Sequence, residues 1–168
     1  MEELWAVPPE KYGADYQSHL LDQYRLSVEM ADRISARRGL TNSFLLSVNA
    51  LLVSGFGVLT SLTGASSEVW AYALPLAGLI VCVAWDILIL RYRQINSAKF
   101  KVIHEIEKRL PAALFLAEWE ALHPSKESED DKGSQAYQPL TDAEAIVPLV
   151  FAVLYVALMI TAGIKAIT

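Results

Sequence analysis

The chain has 168 residues, 54% of them hydrophobic and 20% charged, with one cysteine and a formal net charge of −5 at pH 7. This length allows one ordinary domain or a small multispan membrane protein, and a single cysteine excludes a disulfide scaffold. Charged residues are absent from three windows, 39–67, 69–85 and 145–164. Because a helix needs about 20 apolar residues to cross a bilayer, these windows predict three membrane spans.

The segment that precedes the first span, residues 1–41, is predicted to be a cytoplasmic amphipathic helix. Leu21, Tyr24, Val28 and Ala31 recur at spacings of three and four residues, which is the pattern of a helix with one apolar face. The first residues are acidic, include two prolines and lack an apolar core, unlike a secretory signal or a transit peptide. We therefore expect the first span to be retained in the mature protein.

The first two spans are predicted at residues 42–64 and 70–90, with a short outer turn at 65–69. A long helix buried in a soluble protein usually keeps a polar face, and these segments lack a strong one. Aromatic residues near both ends of the second span fit the interfacial belts of membrane helices: Trp70, Tyr72, Trp85 and Tyr92.

Basic residues set the predicted orientation of the chain. Arg37 and Arg38 precede the first span and Arg91 and Arg93 follow the second, whereas the turn between the spans contains no base. Lys and Arg concentrate on the cytoplasmic side of membrane spans, so both basic flanks and the N-terminus should lie in the cytoplasm. Three spans then place the C-terminus outside. The same bases are expected to contact anionic lipid at the membrane surface.

The region between the second and third spans, residues 91–144, is predicted to be cytoplasmic and helical, with an acidic loop at 123–140. Apolar residues follow one helix face as far as Leu110, where Pro111 should end or kink the helix. A shorter amphipathic segment at 112–122 precedes the loop.

The third span is predicted to follow a capping box. Thr141 and Glu144 have the spacing at which two side chains close the first turn of a helix, which predicts a start at Asp142 and a span at 145–165. Together, the elements predict an all-α integral membrane protein with three transmembrane helices. The first two are expected to extend into the cytoplasm as one long antiparallel helical hairpin.

Charge and motif content exclude several classes of function. Residues 1–38 contain 5 bases and 7 acids, and residues 91–144 contain 8 bases and 10 acids, so each water-facing segment is net −2 and nucleic acid is not expected as a partner. His104 has no second histidine at metal-ligand spacing, and no phosphate-binding loop or nucleophile motif occurs. We expect no catalytic, cofactor or metal site, and no enzymatic activity.

A stripe of small residues runs along the first span. Small residues let helix backbones approach closely, and hydroxyl groups can bond across the contact. The same residues could line a narrow aqueous path in an oligomer. Ser47, Ser54 and Ser61 are therefore candidate pore-lining or inter-subunit residues, and both interpretations stay open. This small-residue stripe consists of Ser43, Ser47, Ala50, Ser54, Gly57 and Ser61.

Asp86 is an acidic residue inside the second predicted span, about one turn from its cytoplasmic end. An ionised carboxylate in a membrane costs several kcal/mol unless it faces protein, water or a base. Asp86 is expected to pair with Arg38, with Arg91 or with a base of a neighbouring subunit. Repeated around a ring, it could instead attract cations at a pore mouth. Asn49 of the first span lies at a similar depth and is a second polar candidate.

Four stretches of the chain, 24–52, 94–111, 117–122 and 137–155, share the pattern of a known family. The most specific motifs are Asn-Ser-x-Lys-Phe at 96–100 and Glu-x-x-Leu-Pro at 107–111. In these stretches the chain resembles the RipA-like octameric membrane proteins, a family of small bacterial inner-membrane proteins. Gly39 departs from the polar residue expected at its position. The resemblance implies a homo-octamer in the bacterial cytoplasmic membrane and carries no catalytic residues.

Two functions are compatible with these observations. The first is a homo-oligomeric membrane assembly with a cytoplasmic helical collar that acts as a channel or channel-like effector, which the small-residue stripe and Asp86 support. The alternative is a non-conducting scaffold that docks a cytoplasmic protein or lipids, which the lack of a strongly polar face on any span supports. The expected partners are other copies of the chain, membrane lipids and, for a scaffold, a cytoplasmic protein.

Overall fold

The computed structural model describes residues 4–63, 68–122 and 140–167, and most of these residues lie in α-helices. These ranges contain no β-strand. Three of their helices are long and apolar enough to cross a membrane, which confirms the predicted fold class. The helices in chain order are α1 (Pro9–Tyr12), α2 (Tyr16–Thr63), α3 (Glu68–Glu107), α4 (Leu114–Leu122) and α5 (Leu140–Ile167).

Helices α2 and α3 run without a break from polar into apolar sequence, over 48 and 40 residues. Gly39 lies inside α2, where it costs about 1 kcal/mol relative to alanine, which is too little to end so long a helix. Thr41 of α2 contacts Tyr92 of α3, and Asn49, eight residues later in α2, contacts Cys82, ten residues earlier in α3. The two helices are therefore antiparallel partners, as predicted for the hairpin.

Two helix ends differ from the predicted positions. α3 ends at Glu107 instead of Leu110, because a proline ring clashes with the carbonyl four residues before it, and for Pro111 that carbonyl belongs to Glu107. α5 begins at Leu140, two residues before Asp142. Most of the predicted outer turn and acidic loop, and the side chains of the capping box before Glu144, lie outside the described residues.

The chain divides into two compact units. Unit 1 consists of Met1–Ile34 and Ile95–Tyr137, and unit 2 consists of Ser35–Gln94 and Gln138–Thr168. Each unit contains its own buried residues.

In unit 1, α2 and α3 bury apolar side chains against each other. Leu20 and Ala31 of α2 are 5% and 4% exposed, and Ile103 and Ile106 of α3 are 1% and 5% exposed. Leu21, predicted to lie on the apolar face, is 38% exposed, and its neighbour Leu20 takes the buried position.

Unit 2 contains the apolar parts of α2, α3 and α5. Large apolar side chains point outward along these helices, including Leu51 and Leu62 of α2, which are 72% and 78% exposed. An apolar surface of this extent requires lipid or another protein around it. The side chains buried inside unit 2 include Asn49, Cys82, Trp85, Ile89 and Tyr155.

Candidate functional site

A polar cluster lies inside unit 2, where α2, α3 and α5 meet. Asn49 is fully buried, and its side-chain Oδ1 accepts a hydrogen bond from the Tyr155 hydroxyl at 3.0 Å. The Cys82 thiol lies 3.5 Å from the same oxygen, and the Asn49 Nδ2 donates to the Leu45 carbonyl at 2.9 Å. Both polar atoms of the amide therefore have partners within the protomer, and the cluster joins all three spans.

The ring of Tyr155 lies directly against Gly78 of α3. A Cβ atom added at Gly78 would overlap the ring carbons of Tyr155. Glycine is thus required here by the close approach of α5 to α3 rather than by its backbone angles. The ring contact and the hydroxyl bond together fix the position of α5 in unit 2.

Two more hydrogen bonds join α2 and α3 nearer to the arginine-bearing ends of the spans. The Trp85 indole N–H donates to the Asn42 Oδ1 at 2.9 Å, and the hydroxyls of Thr41 and Tyr92 lie 3.2 Å apart. Trp85 is 2% exposed, so it belongs to this helix contact and not to the surface expected of an interfacial belt. Sequence reasoning missed Asn42, although its spacing of seven residues from Asn49 places both amides on one face of α2.

The small-residue stripe of α2 faces away from the core of unit 2. All its members are exposed in the protomer, and a Cβ atom at Gly57 would meet nothing within 4 Å. The hydroxyls of Ser47, Ser54 and Ser61 donate to carbonyls of their own helix at 2.9, 2.8 and 2.7 Å. These bonds satisfy the hydroxyls without water or a second helix. The stripe is therefore a shallow surface of small side chains, open to whatever lies beside the protomer.

Asp86 of α3 is half-buried and forms no hydrogen bond or ion pair with the described residues of its own chain. Arg38, one of its expected partners, instead forms an ion pair with Glu144 of α5 at 3.6 Å. Arg91, the other, donates to Gln94 at 3.3 Å within α3. Within the described part of the protomer, the carboxylate has no counter-charge, which in a membrane favours contact with water or with a neighbouring subunit.

The predicted interfacial arginines lie near the same end of unit 2. Arg37, Arg91 and Arg93 are exposed, and Arg38 is half-buried against Glu144. The ion pair between α2 and α5 was not predicted from sequence. Exposed arginines at the ends of spans are suited to lipid headgroups, and that role stays a prediction.

Unit 1 contains a buried carboxylate, Glu107, which is 1% exposed. Its Oε1 accepts hydrogen bonds from the Tyr24 hydroxyl at 2.8 Å and the Phe115 N–H at 3.0 Å. Its Oε2 accepts a hydrogen bond from the Leu116 N–H at 3.0 Å. The two amides belong to the first turn of α4, where N–H groups lack partners within the helix and negative charge is favoured. Glu107 therefore connects α2, α3 and α4.

This carboxylate changes the chemistry of Tyr24. Burial, together with the hydrogen bond to Glu107 and its charge, raises the pKa of Tyr24 to about 12. Sequence reasoning missed the site, because the Glu-x-x-Leu-Pro motif indicated only the family resemblance. The available signal was Pro111, which ends α3 at Glu107 and turns the chain so that α4 begins beside the carboxylate.

Arg109 holds the N-terminal segment against the turn that follows α3. Its guanidinium lies 3.4 Å from the centroid of the Trp5 ring, and it donates to the Tyr16 hydroxyl at 2.9 Å.

Within the part of the chain that the structure describes, no three His, Cys, Asp or Glu residues come together as a metal site.

The clusters around Asn49 and Glu107 lie within a segment shared with a known family. A sequence model of the octameric membrane protein family (8xMP) matches residues 21–164. The chain belongs to this family. No curated protein and no solved structure matched.

Family membership and the three apolar helices identify the chain as a membrane protein that assembles with copies of itself. The match confirms the resemblance found in the sequence. It covers Asp86, the small-residue stripe and Glu107, and it begins after α1.

Proposed function

We propose that the chain forms an octameric ring in the bacterial cytoplasmic membrane and serves as a non-conducting scaffold for a cytoplasmic protein. In this arrangement the N-terminus lies in the cytoplasm and the C-terminus outside. The observation that carries the proposal is that polar groups of the first span form their hydrogen bonds inside the protomer. The hydroxyls of Ser47, Ser54 and Ser61 bond to their own helix, and the Asn49 amide is buried. A conducting path requires polar groups directed at water or ions, so this arrangement supports helix packing.

The docking surface of the scaffold is assigned to α4 of unit 1. Glu107 fixes the N-terminus of this helix, and the helix exposes Leu114 at 68% and Trp119 at 53%. A tryptophan on a fixed helix is typical of the anchors that carry much of the energy of protein interfaces. Glu118 and Glu120 are exposed on the same helix and favour a partner with a basic surface.

Particle mass and ion flux test the proposal together. The purified protein in detergent is expected to have the mass of eight protomers. Vesicles that contain it are expected to hold a potassium gradient as long as empty vesicles do, and an ionophore added at the end shows that both were sealed. A monomeric particle would overturn the assembly, and sustained flux through the wild type would overturn the non-conducting role.

A cation channel is the second candidate, and Asp86 is the observation that favours it. Eight carboxylates repeated around a ring would concentrate cations at one end of a pore. In a channel, Asp86→Asn should lower the preference for cations over anions while the particle keeps the mass of eight protomers. Ser54→Ala is the matched control, because the hydroxyl that it removes bonds to its own helix.

A further inference from the structure

The surface of α3 carries two opposite charges that face different directions. Asp86 has no partner among the described residues of its own chain, and the exposed Arg91 has only a surface hydrogen bond to Gln94. We infer that Asp86 of each protomer forms an ion pair with Arg91 of the next protomer, so that one charged contact repeats around the ring. The inference rests on the proposed homo-oligomeric assembly and names the contact that closes it.

Depth in the membrane selects Arg91 as the partner. In a ring whose axis is normal to the membrane, equivalent residues of all protomers lie at the same depth. Arg91 is five residues from Asp86, or about 7.5 Å along α3, a difference that one long arginine side chain spans. Side chains on a helix lean toward its N-terminus, which directs Arg91 back toward the depth of Asp86.

The two arginines of α2 in unit 2, Arg37 and Arg38, fit less well. Arg38 is already paired with Glu144. Arg37 lies four residues beyond Thr41, which contacts Tyr92, and this register places Arg37 roughly 12–15 Å from the depth of Asp86. That separation is too large for a direct ion pair between symmetric copies.

Direction around the helix gives an independent argument. Five residues correspond to a rotation of about 140° around α3. In a ring of eight, the directions from one protomer to its two neighbours enclose about 135°. A helix of the ring can therefore present Asp86 to one neighbour and Arg91 to the other, which is the head-to-tail contact that closes a ring.

The surface between the two charges agrees with this arrangement. Viewed along the axis of α3, the surface between Asp86 and Arg91 carries Val83, Ile87 and Leu90, which are 59%, 51% and 56% exposed. Trp85 and Ile89 lie on the opposite side of the helix and pack into unit 2. With neighbours at Asp86 and Arg91, this apolar arc faces the ring axis. An apolar axis is what the non-conducting scaffold requires.

Cross-linking tests the contact directly. In a Cys82→Ala background, a chain with both Asp86→Cys and Arg91→Cys is treated with a short bismaleimide. Because each protomer contacts two neighbours through different residues, the expected product is a ladder of bands up to eight protomers. A mixture of Asp86→Cys chains with Arg91→Cys chains should stop at dimers. The pair Asp86→Cys and Arg37→Cys is the control and should give no ladder.

Charge exchange gives a second measurement that does not depend on cysteine. Asp86→Asn and Arg91→Gln should each raise the protomer concentration at half-assembly by about tenfold or more. The double variant D86R/R91D should return it toward the wild-type value, while Arg37→Gln should leave it unchanged. An intact octamer that gives no ladder, or single variants that assemble normally, would overturn the contact alone. A monomeric wild type would overturn the proposed assembly itself.

Discussion

The hydroxyl of Tyr155 donates a hydrogen bond to the side-chain oxygen of Asn49 at 3.0 Å, and both residues are buried between the helices of unit 2. This bond joins the third span to the first, although more than a hundred residues separate them in sequence. The bond lies within one protomer and helps to fix how α5 packs against α2. The surfaces left for assembly are the small-residue stripe of α2 and the two sides of α3 that carry Asp86 and Arg91.

Tyr155→Phe should destabilise the protomer modestly. The substitution keeps the ring on Gly78 and removes one hydrogen bond between spans, which is worth about 1 kcal/mol in a membrane protein. Thermal unfolding in detergent, followed by circular dichroism, measures the loss. Thr161→Val is the control, because that hydroxyl bonds to a carbonyl of its own helix and should be dispensable. Equal effects of the two variants would contradict the role of the bond.

Gly78→Ala should be more damaging than Tyr155→Phe. Its methyl group would occupy the space of the Tyr155 ring, so the ring must move away and its bond to Asn49 is expected to weaken as well. The expected cost is about 2–3 kcal/mol, measured as reduced unfolding temperature. Gly55→Ala is the matched control, since a Cβ atom there meets nothing within 4 Å. Gly78→Ala in a Tyr155→Leu background should cost much less.

Ser54 distinguishes the two interpretations of the small-residue stripe. If the stripe packs against a neighbouring helix, Ser54→Leu should reduce the octamer fraction measured by particle mass, because the larger side chain separates the backbones. Ser54→Ala should preserve the octamer. If the stripe lines a pore, Ser54→Leu should instead block flux while the octamer persists.

Glu107→Gln should release the start of α4. The amide offers only one acceptor oxygen, so one of the Phe115 and Leu116 amides loses its partner at a cost of about 1–3 kcal/mol. Faster hydrogen exchange at those two amides is the expected readout. Glu105→Gln is the matched control, because Glu105 pairs only with Lys108 on the surface of α3. Unchanged exchange in Glu107→Gln would contradict the proposed connection.

Tyr24 should make unit 1 sensitive to alkali. Its pKa of about 12 in the folded chain, against the ordinary 10.0, means that folding favours the neutral phenol. The corresponding stability is fully present below pH 10 and is lost as the pH rises from 10 to 12. The difference in unfolding temperature between wild type and Tyr24→Phe should therefore shrink over that range. A constant difference would contradict this assignment.

The membrane spans and the long helices could be predicted because hydropathy and charge belong to each segment alone. The pairing of helices could not, because it depends on how each helix is rotated. Leu20 and Leu21 illustrate this, since both fit a spacing of three and four residues and only contact with α3 buries Leu20. Trp85 looked like an interfacial residue for the same reason: its position near a span end was visible, and its partner Asn42 was not.

Of the charged candidate residues, Asp86 was predicted from the sequence and Glu107 was not. Asp86 was identified because an acidic residue within an apolar segment is visible in the sequence, whatever its partners in the structure are. Glu107 was missed because an acid within a charged segment looks solvated, and its burial results from α4 folding back over it. A carboxylate just before a turn into a new helix is the pattern that would reveal such sites in other chains.

The contact between Tyr155 and Gly78 has a consequence for dividing the chain into two polypeptides. The ring and hydroxyl of Tyr155 hold α5 against α3 and α2 within unit 2, through contacts that do not involve the residues leading into α5. The third span could therefore be supplied as a separate polypeptide and still find its place.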